Sequence, residues 1–282
     1  MKFNEIVVIS GKGGTGKTTV TSSLIPYFED VVIGDCDVDA PNLKILFSPK
    51  DIEIKEFFGM KKAKRNMEVC NNCGLCFKYC KFNAIDNLTK CEGCGVCEYI
   101  CPMGAIEMVD NKAGSLIISD TSYGKLVHAS LIPGEENSGK LVAEVRKTTK
   151  KIAEEENKKY IILDGAPGVA CNVISSITGI KKAVVVTEPT LSGLHDMERL
   201  LDLIAKFRIK PYFIINKYDL SNEISEKLEN FIHEKGYEIS VKIPFEKEIF
   251  NCINMKKIPS TEMKEFFNKI GFDKLVEELK KD

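Results

Sequence analysis

The sequence carries no surplus of either charge. Its 40 lysines and arginines stand against 41 aspartates and glutamates, a formal net charge of −1. A nucleic-acid polyanion is therefore not an expected partner. No apolar run reaches the length of a membrane span, so no membrane-embedded segment is expected. The opening stretch MKFNEIVVISGKGG is too short, and too soon broken by glycines, to serve as a secretory leader. With nothing to send the chain into an oxidising compartment, its eleven cysteines point to metal in reducing cytoplasm rather than to disulfides. At 282 residues, 44% of them hydrophobic, the chain has the length of one large or two modest domains and enough apolar residues for a core.

Short β-branched runs alternate with helix-period segments along most of the chain. The expected strands are residues 5–10, 31–35, 160–164, 183–188, 211–216 and 238–243, with helices at 18–28, 139–157, 192–207, 222–235 and 263–280. Near-continuous apolar strands with intervening helices predict a doubly wound, mainly parallel α/β sheet covered on both faces. The rhythm breaks between about 48 and 135, where lysines crowd, the cysteines follow, and two short strand-like runs (115–120 and 125–130) close the interval. The chain thus divides into 1–65, an inserted cysteine block at 66–109, and 110–282. The block is an internal repeat, Cys70–Ile85 echoing Cys91–Ile106, with the parallel endings CKFNAI and CPMGAI.

SGKGGTGKTT follows a strand and precedes a helix, and it satisfies the phosphate-loop pattern G-x-x-x-x-G-K-S/T through Gly11, Gly16, Lys17 and Thr18. Glycines let backbone N–H groups approach phosphate oxygens, and the helix N-terminus adds a favourable field. The loop residues Gly11, Lys12, Gly13, Gly14, Thr15, Gly16, Lys17, Thr18 and Thr19 are the candidate nucleotide cradle. Lys17 is expected on the β and γ oxygens and Thr18 on Mg²⁺. Asp164, ending a strand in DGAPG, is the candidate second-switch acid that holds Mg²⁺. Gly165 and Gly168 would let that loop follow the γ-phosphate. DCDVDAPN (35–42) lies at a strand end, where ligands of such sheets sit; Asp35 is expected near the metal, and Asp39 has no assigned role. NKYD (216–219) supplies Asn216, Lys217 and Asp219 as candidate base contacts. Its pattern matches the guanine-reading N-K-x-D, so ATP and GTP both stay open at this point.

C-x₂-C-x₂-C-x₃-C occurs twice, at Cys70, Cys73, Cys76, Cys80 and at Cys91, Cys94, Cys97, Cys101. This is the spacing of bacterial two-cluster ferredoxins, in which the fourth cysteine of each run ligates the other cluster. One 4Fe–4S cluster is therefore expected on Cys70, Cys73, Cys76 and Cys101, and a second on Cys80, Cys91, Cys94 and Cys97. Each would carry a net charge of about −2 when oxidised, making the loaded protein more acidic than the residue count. Structural zinc usually takes C-x₂-C pairs separated by a longer loop, which these runs are not. Lys81 replaces the proline found at Pro102, and a positive charge beside the second cluster is expected from it. Cys36 and Cys252 are expected to be small buried residues.

Taken whole, the chain resembles the Min-superfamily P-loop ATPases that carry an inserted ferredoxin domain. The resemblance runs through GKGGTGKTT, DCDVDAPN, the cysteine runs, GEENSGKLV (134–142), DGAPG, EPTLSGLHD and NKYD. It implies a deviant Walker A loop in which Lys12 crosses to the partner's nucleotide in a nucleotide-dependent homodimer. It also implies Asp37 as the group orienting the attacking water, an asparagine at 216 that meets adenine, and hence ATP. Cys171 stands seven residues beyond Asp164, where the nitrogenase iron protein has a bridging-cluster ligand; simple packing is the other reading. His195 is open between a surface position and a contact group.

The expected function is an ATP-binding, slowly hydrolysing protein in which nucleotide state gates low-potential electron transfer through two 4Fe–4S clusters to a redox partner. The alternatives are a carrier delivering clusters to an iron–sulfur acceptor protein, and a redox-sensing Min-like regulatory or positioning ATPase.

Overall fold

The structure is a computed structural model that describes residues 3–135 and 138–281. Its strands are β1 (Asn4–Ser10), β2 (Val31–Asp35), β3 (Lys50–Phe58), β4 (Lys62–Arg65), β5 (Ile106–Val109) and β6 (Lys112–Asp120). β7 (Lys125–Leu131), β8 (Tyr160–Pro167), β9 (Lys182–Thr187), β10 (Lys210–Asn216) and β11 (Ile239–Ile243) complete the set. Nine form one sheet in the order β11-β10-β9-β1-β8-β2-β7-β6-β3. From β11 through to β7 every neighbouring pair is parallel. A parallel sheet of this kind needs cover on both faces, and the sequence supplies it: Ile6, Val7, Val8 and Ile9 of β1 are all fully buried. The result is an α/β fold with a mainly parallel sheet.

Helices Lys17–Leu24, Ser138–Glu155, Leu191–Phe207 and Asn222–Glu234 follow β1, β7, β9 and β10. Thr190 and Ser221 cap the last two by accepting from the backbone N–H groups of Gly193 and Ile224. The single helix expected at 263–280 is two, Lys264–Lys269 and Phe272–Lys280, with a short helix Pro259–Glu262 before them. Gly271, at φ 82°, takes the left-handed turn between the last two. Phe272, Leu275, Val276 and Leu279 of the final helix join Leu24, Ile25 and Phe28 in the main core. Its apolar face is thereby committed to packing.

β3 is a strand that periodicity does not single out, because KDIEIKEFF is mostly charged and exposed. It lies at the end of the sheet order, where charged side chains suit an edge that must not pair with another chain.

The chain forms two compact units. One comprises Lys55–Ser115 with a stretch beginning at Leu131, and the remaining described residues make the other. The cysteine unit therefore begins and ends outside the 66–109 block. Its two-stranded antiparallel sheet pairs β4 with β5, Lys62 opposite Val109 and Arg65 opposite Ile106. Short helices Leu75–Tyr79 and Val96–Tyr99 repeat each other, each opened by a left-handed glycine, Gly74 at φ 75° and Gly95 at φ 74°. The buried apolar residues of this unit are Phe57, Ala63, Ala84, Ala105, Ile106 and Ala113, mostly alanines. Phe77, Tyr79, Phe82 and Tyr99 are exposed. So small a core falls short of what an unaided domain of this size needs, and such scaffolds are normally stapled by disulfides or metal.

Candidate functional site: a phosphate loop and two cysteine cavities

β1 delivers the loop 11–16 to the carboxyl end of the parallel sheet, the usual ligand edge of such folds. Gly14 and Gly16 adopt φ 83° and 91°, conformations only glycine takes without strain. A Cβ on Gly16 would lie 2.2 Å from Asn216 Nδ2. Asn216 in turn donates to the Thr15 carbonyl at 2.8 Å, so it braces the loop from β10. Helix Lys17–Leu24 starts without a side-chain cap. Thr15 Oγ1 is buried with no hydrogen-bond partner among the described residues. A bound phosphate would satisfy both kinds of open donor.

Asp164, at the end of β8, organises the loop. Its Oδ1 accepts from Lys17 Nζ at 2.9 Å and from Thr21 Oγ1 at 2.8 Å, and its Oδ2 accepts from Thr18 Oγ1 at 2.7 Å. Lys17 also lies 3.6 Å from Asp37 Oδ2. Burial works against the Lys17 charge, but Asp164, Asp37 and Asp35 outweigh it and leave the ammonium above its ordinary pKa. Burial pushes Asp37 upward, with Lys17 opposing. Asp35 is pushed well up by complete burial and then by repulsion from Asp164. Its two oxygens accept from the backbone N–H groups of Asp37 and Leu43, at 3.1 and 3.2 Å. Asp35 thus holds the shape of the 35–43 loop, each of its oxygens accepting one backbone N–H. Asp39 is exposed.

Lys12 is gripped within its own unit. Its Nζ meets Glu188 Oε1 at 2.8 Å and donates to the Thr190 and Ser192 hydroxyls, both at 2.9 Å. Lys217 reaches the other Glu188 oxygen at 3.3 Å. Burial pushes Glu188 up, but its bond from Lys12 and the Lys217 charge outweigh that and hold the carboxyl below its ordinary range. Asp219 Oδ1 accepts the Phe245 backbone N–H at 2.7 Å, tying NKYD to the segment before the helix Lys247–Asn254. Sequence reasoning missed Glu188, Thr190, Ser192 and Thr21. The position of EPTLS directly after β9, at the same sheet edge as the loop, is the signal that could have found the first three.

The eight cysteines of the repeat line two cavities. Cys70, Cys73, Cys76 and Cys101 surround one, with Arg65, Phe77 and Pro102 among their neighbours. Cys80, Cys91, Cys94 and Cys97 surround the other, with Phe82, Glu92 and Val96. The fourth thiol of each run is exchanged between the cavities, and each presents four soft sulfur donors in an apolar wall, a donor set suited to an iron–sulfur cluster. Among the described residues no three His, Cys, Asp or Glu side chains close on a single ion. Sulfurs already accept backbone bonds, from Ala84 to Cys80 at 3.3 Å and from Ala105 to Cys101 at 3.2 Å. Lys81 is exposed and does not line the second cavity; its charge does not sit where the sequence suggested.

Cys36 and Cys252 are buried, and burial pushes the Cys36 thiol up, leaving it unreactive. Cys171 is exposed at the start of helix Cys171–Ile177, and His195 is exposed on helix Leu191–Phe207. Of the 134–142 run, Glu135 accepts from Lys62 at 2.6 Å and from Asn111 at 2.8 Å, while Glu136 and Asn137 lie outside the described residues. No described helix is long and apolar enough to cross a membrane.

Sheet order, loop and buried acid together define a P-loop nucleotide-binding protein. The chain belongs to the CobQ/CobB/MinD/ParA nucleotide-binding domain family (CbiA), whose family model matches residues 6–259. An uncharacterised protein of Methanocaldococcus jannaschii, MJ0578, is 34% identical over 273 residues, which cover 94% of this chain and 96% of that one. The septum site-determining protein MinD of Pyrococcus horikoshii, solved with Mg-ADP, shares the fold at a TM-score of 0.59 and 18% identity, over 99% of this chain and 96% of its own. The MinC:MinD cell division complex of Aquifex aeolicus matches at a TM-score of 0.53 and 18% identity, over 93% and 89%.

Proposed function

We propose that the chain is a nucleotide-switched iron–sulfur ATPase, passing single low-potential electrons to a partner protein through two 4Fe–4S clusters. The observation that carries this reading is the sorting of eight cysteines into two cavities of four, with the fourth thiol exchanged. The clusters would supply one-electron chemistry, held by Cys70, Cys73, Cys76 and Cys101 and by Cys80, Cys91, Cys94 and Cys97. The alanine-rich core of that unit fits a scaffold that depends on a staple.

At the loop, Lys17 would leave its bond to Asp164 for phosphate oxygens, and Asp164 and Thr18 would then support Mg²⁺. Asp37, with its raised carboxyl, is the group to orient a water and accept its proton as the γ-phosphate is cleaved to ADP and phosphate. Lys12 would exchange Glu188 for nucleotide across a dimer of two copies. ATP is favoured by the family resemblance and by the Mg-ADP complex of the MinD relative.

A second reading, a Min-like positioning ATPase whose clusters sense redox state, is favoured by the MinD similarity and by a MinD that is solved with its partner MinC. One experiment tests the feature on which both rest. Anaerobic reconstitution should yield about eight iron and eight sulfide per chain, and one or two zinc ions instead would refute the cluster assignment. MgATP should then shift a cluster potential. No shift, with ATP still bound, would refute nucleotide gating of electron transfer and redox sensing alike, because coupling between two sites is reciprocal.

A further inference from the structure

We propose that the two cysteine cavities are electrically unequal, and that Arg65 makes the Cys70, Cys73, Cys76, Cys101 set the one reduced first. The inference rests on the cluster reading above. It goes beyond it by assigning an order to the two sites and naming the residues that set the order.

The internal repeat acts as its own control. Elements common to both halves cancel: each set holds four thiols, and the Ala84 and Ala105 bonds to Cys80 and Cys101 are equivalent. The linings differ in charge: Arg65 is the charged residue lining the first cavity, whereas Glu92 is the charged residue lining the second. Lys81, next to Cys80, is exposed and lines neither. Arg65 ends β4 and lies 5.3 Å over the Phe77 ring, which sits in sequence directly after Cys76. Its ion-pair partner among the described residues is Asp86, at 4.0 Å and with a 76% exposed side chain. A pair so long and so open is heavily screened, so the guanidinium keeps most of its field for the cavity. Backbone hydrogen bonds do not separate the sets: Cys70 accepts one from Asn72 at 3.4 Å, and Cys97 of the second set accepts from the Glu98 backbone.

A thiolate-ligated cluster gains negative charge on reduction, so a nearby cation and N–H dipoles favour the reduced form and raise its potential. A carboxylate lowers it. The Arg65 side is therefore the higher-potential site. One electron from a reduced viologen, which is oxidised by one electron in return, settles there first; no bond forms and no proton moves. Electron flow within the unit then runs downhill from the Glu92 side to the Arg65 side.

The test is an anaerobic, EPR-monitored titration of the reconstituted full chain with viologen mediators. Two one-electron waves are expected. Arg65→Gln should lower the upper wave by about tenfold in its equilibrium, about 59 mV, and leave the lower wave in place. Arg65→Lys, which keeps the charge, should restore most of the shift, separating charge from packing. Glu92→Gln should raise the lower wave alone. Coincident waves in the wild type, or an Arg65→Gln shift in the lower wave, would overturn the assignment. A chain that takes up far fewer than eight irons and gives no reduced signal fails before any titration, and then the cluster reading falls and the inference with it.

Discussion

Asp164→Asn perturbs the one carboxylate on which the phosphate loop converges. In the structure Asp164 is fully buried and Lys17 is 6% exposed, with their atoms 2.9 Å apart. The asparagine keeps the shape but has one acceptor oxygen where three donors now point, from Lys17, Thr18 and Thr21. Lys17 would be left with Asp37 at 3.6 Å as its nearest anion. Breaking a buried pair by removing one partner costs about 3–5 kcal/mol. Relief of the repulsion between Asp164 and Asp35 offsets part of this, leaving roughly 2–4 kcal/mol. For a domain of roughly 200 residues that lowers the melting temperature by about 10 °C. Thermal unfolding of the nucleotide-free protein reads this directly, and Lys17→Met/Asp164→Leu should recover much of the loss, because an apolar pair removes both buried charges. A single variant within about 1 kcal/mol of wild type would refute the idea that this pair holds the loop.

Gly16→Ala should abolish nucleotide binding measured by calorimetry, since its Cβ would lie 2.2 Å from the Asn216 amide in a left-handed backbone. Glu188→Gln should loosen the grip on Lys12 and raise the ATP-dependent dimer fraction in light scattering by about three- to fivefold in its equilibrium; an unchanged fraction would mean that the Lys12–Glu188 contact does not restrain association. His128 on β7 is buried, with Nε2 3.0 Å from Ser119 Oγ, and burial, with Lys44 adding to it against Asp51, depresses its pKa below 6.5. The folded state then binds fewer protons than the unfolded one. The His128 contribution is fully present above pH 6.5 and is lost as the pH falls from there through its folded value. A melting curve series from pH 7.5 to 5 should show that loss, and His128→Gln should flatten it; parallel slopes in both proteins would dismiss the assignment.

Much of the sheet is legible because its strands are buried on both faces and so read as unbroken apolar runs, as in VVIGD and AVVVT. β3 escaped that logic for the opposite reason: an exposed edge strand needs no apolar run. The final helix was read as one because its apolar period continues through Gly271, while the backbone turns there at φ 82°. The candidate site divides in the same way. Glycines, the loop lysine and the cysteine spacings answer to local geometry, which short motifs encode. The contacts of Glu188 and Thr190 with Lys12 join segments 178 residues apart in the chain at the Thr190 bond, and only the adjacency of β9 and β1 in the sheet brings them together.

The sequence by itself determined the α/β rhythm, the phosphate loop and the duplicated cysteine runs, because backbone conformation and ligand spacing are local properties of residue type. Only the tertiary structure decided which groups face one another. It turned Asp35 inward to bond the 35–43 loop, bound Lys12 to Glu188, and placed Arg65 at one cysteine cavity and Glu92 at the other. The Lys12–Glu188 pairing and the place of Arg65 depend on strand order and packing between residues distant in the chain, and it is packing that decides where a charge is exposed and where it acts.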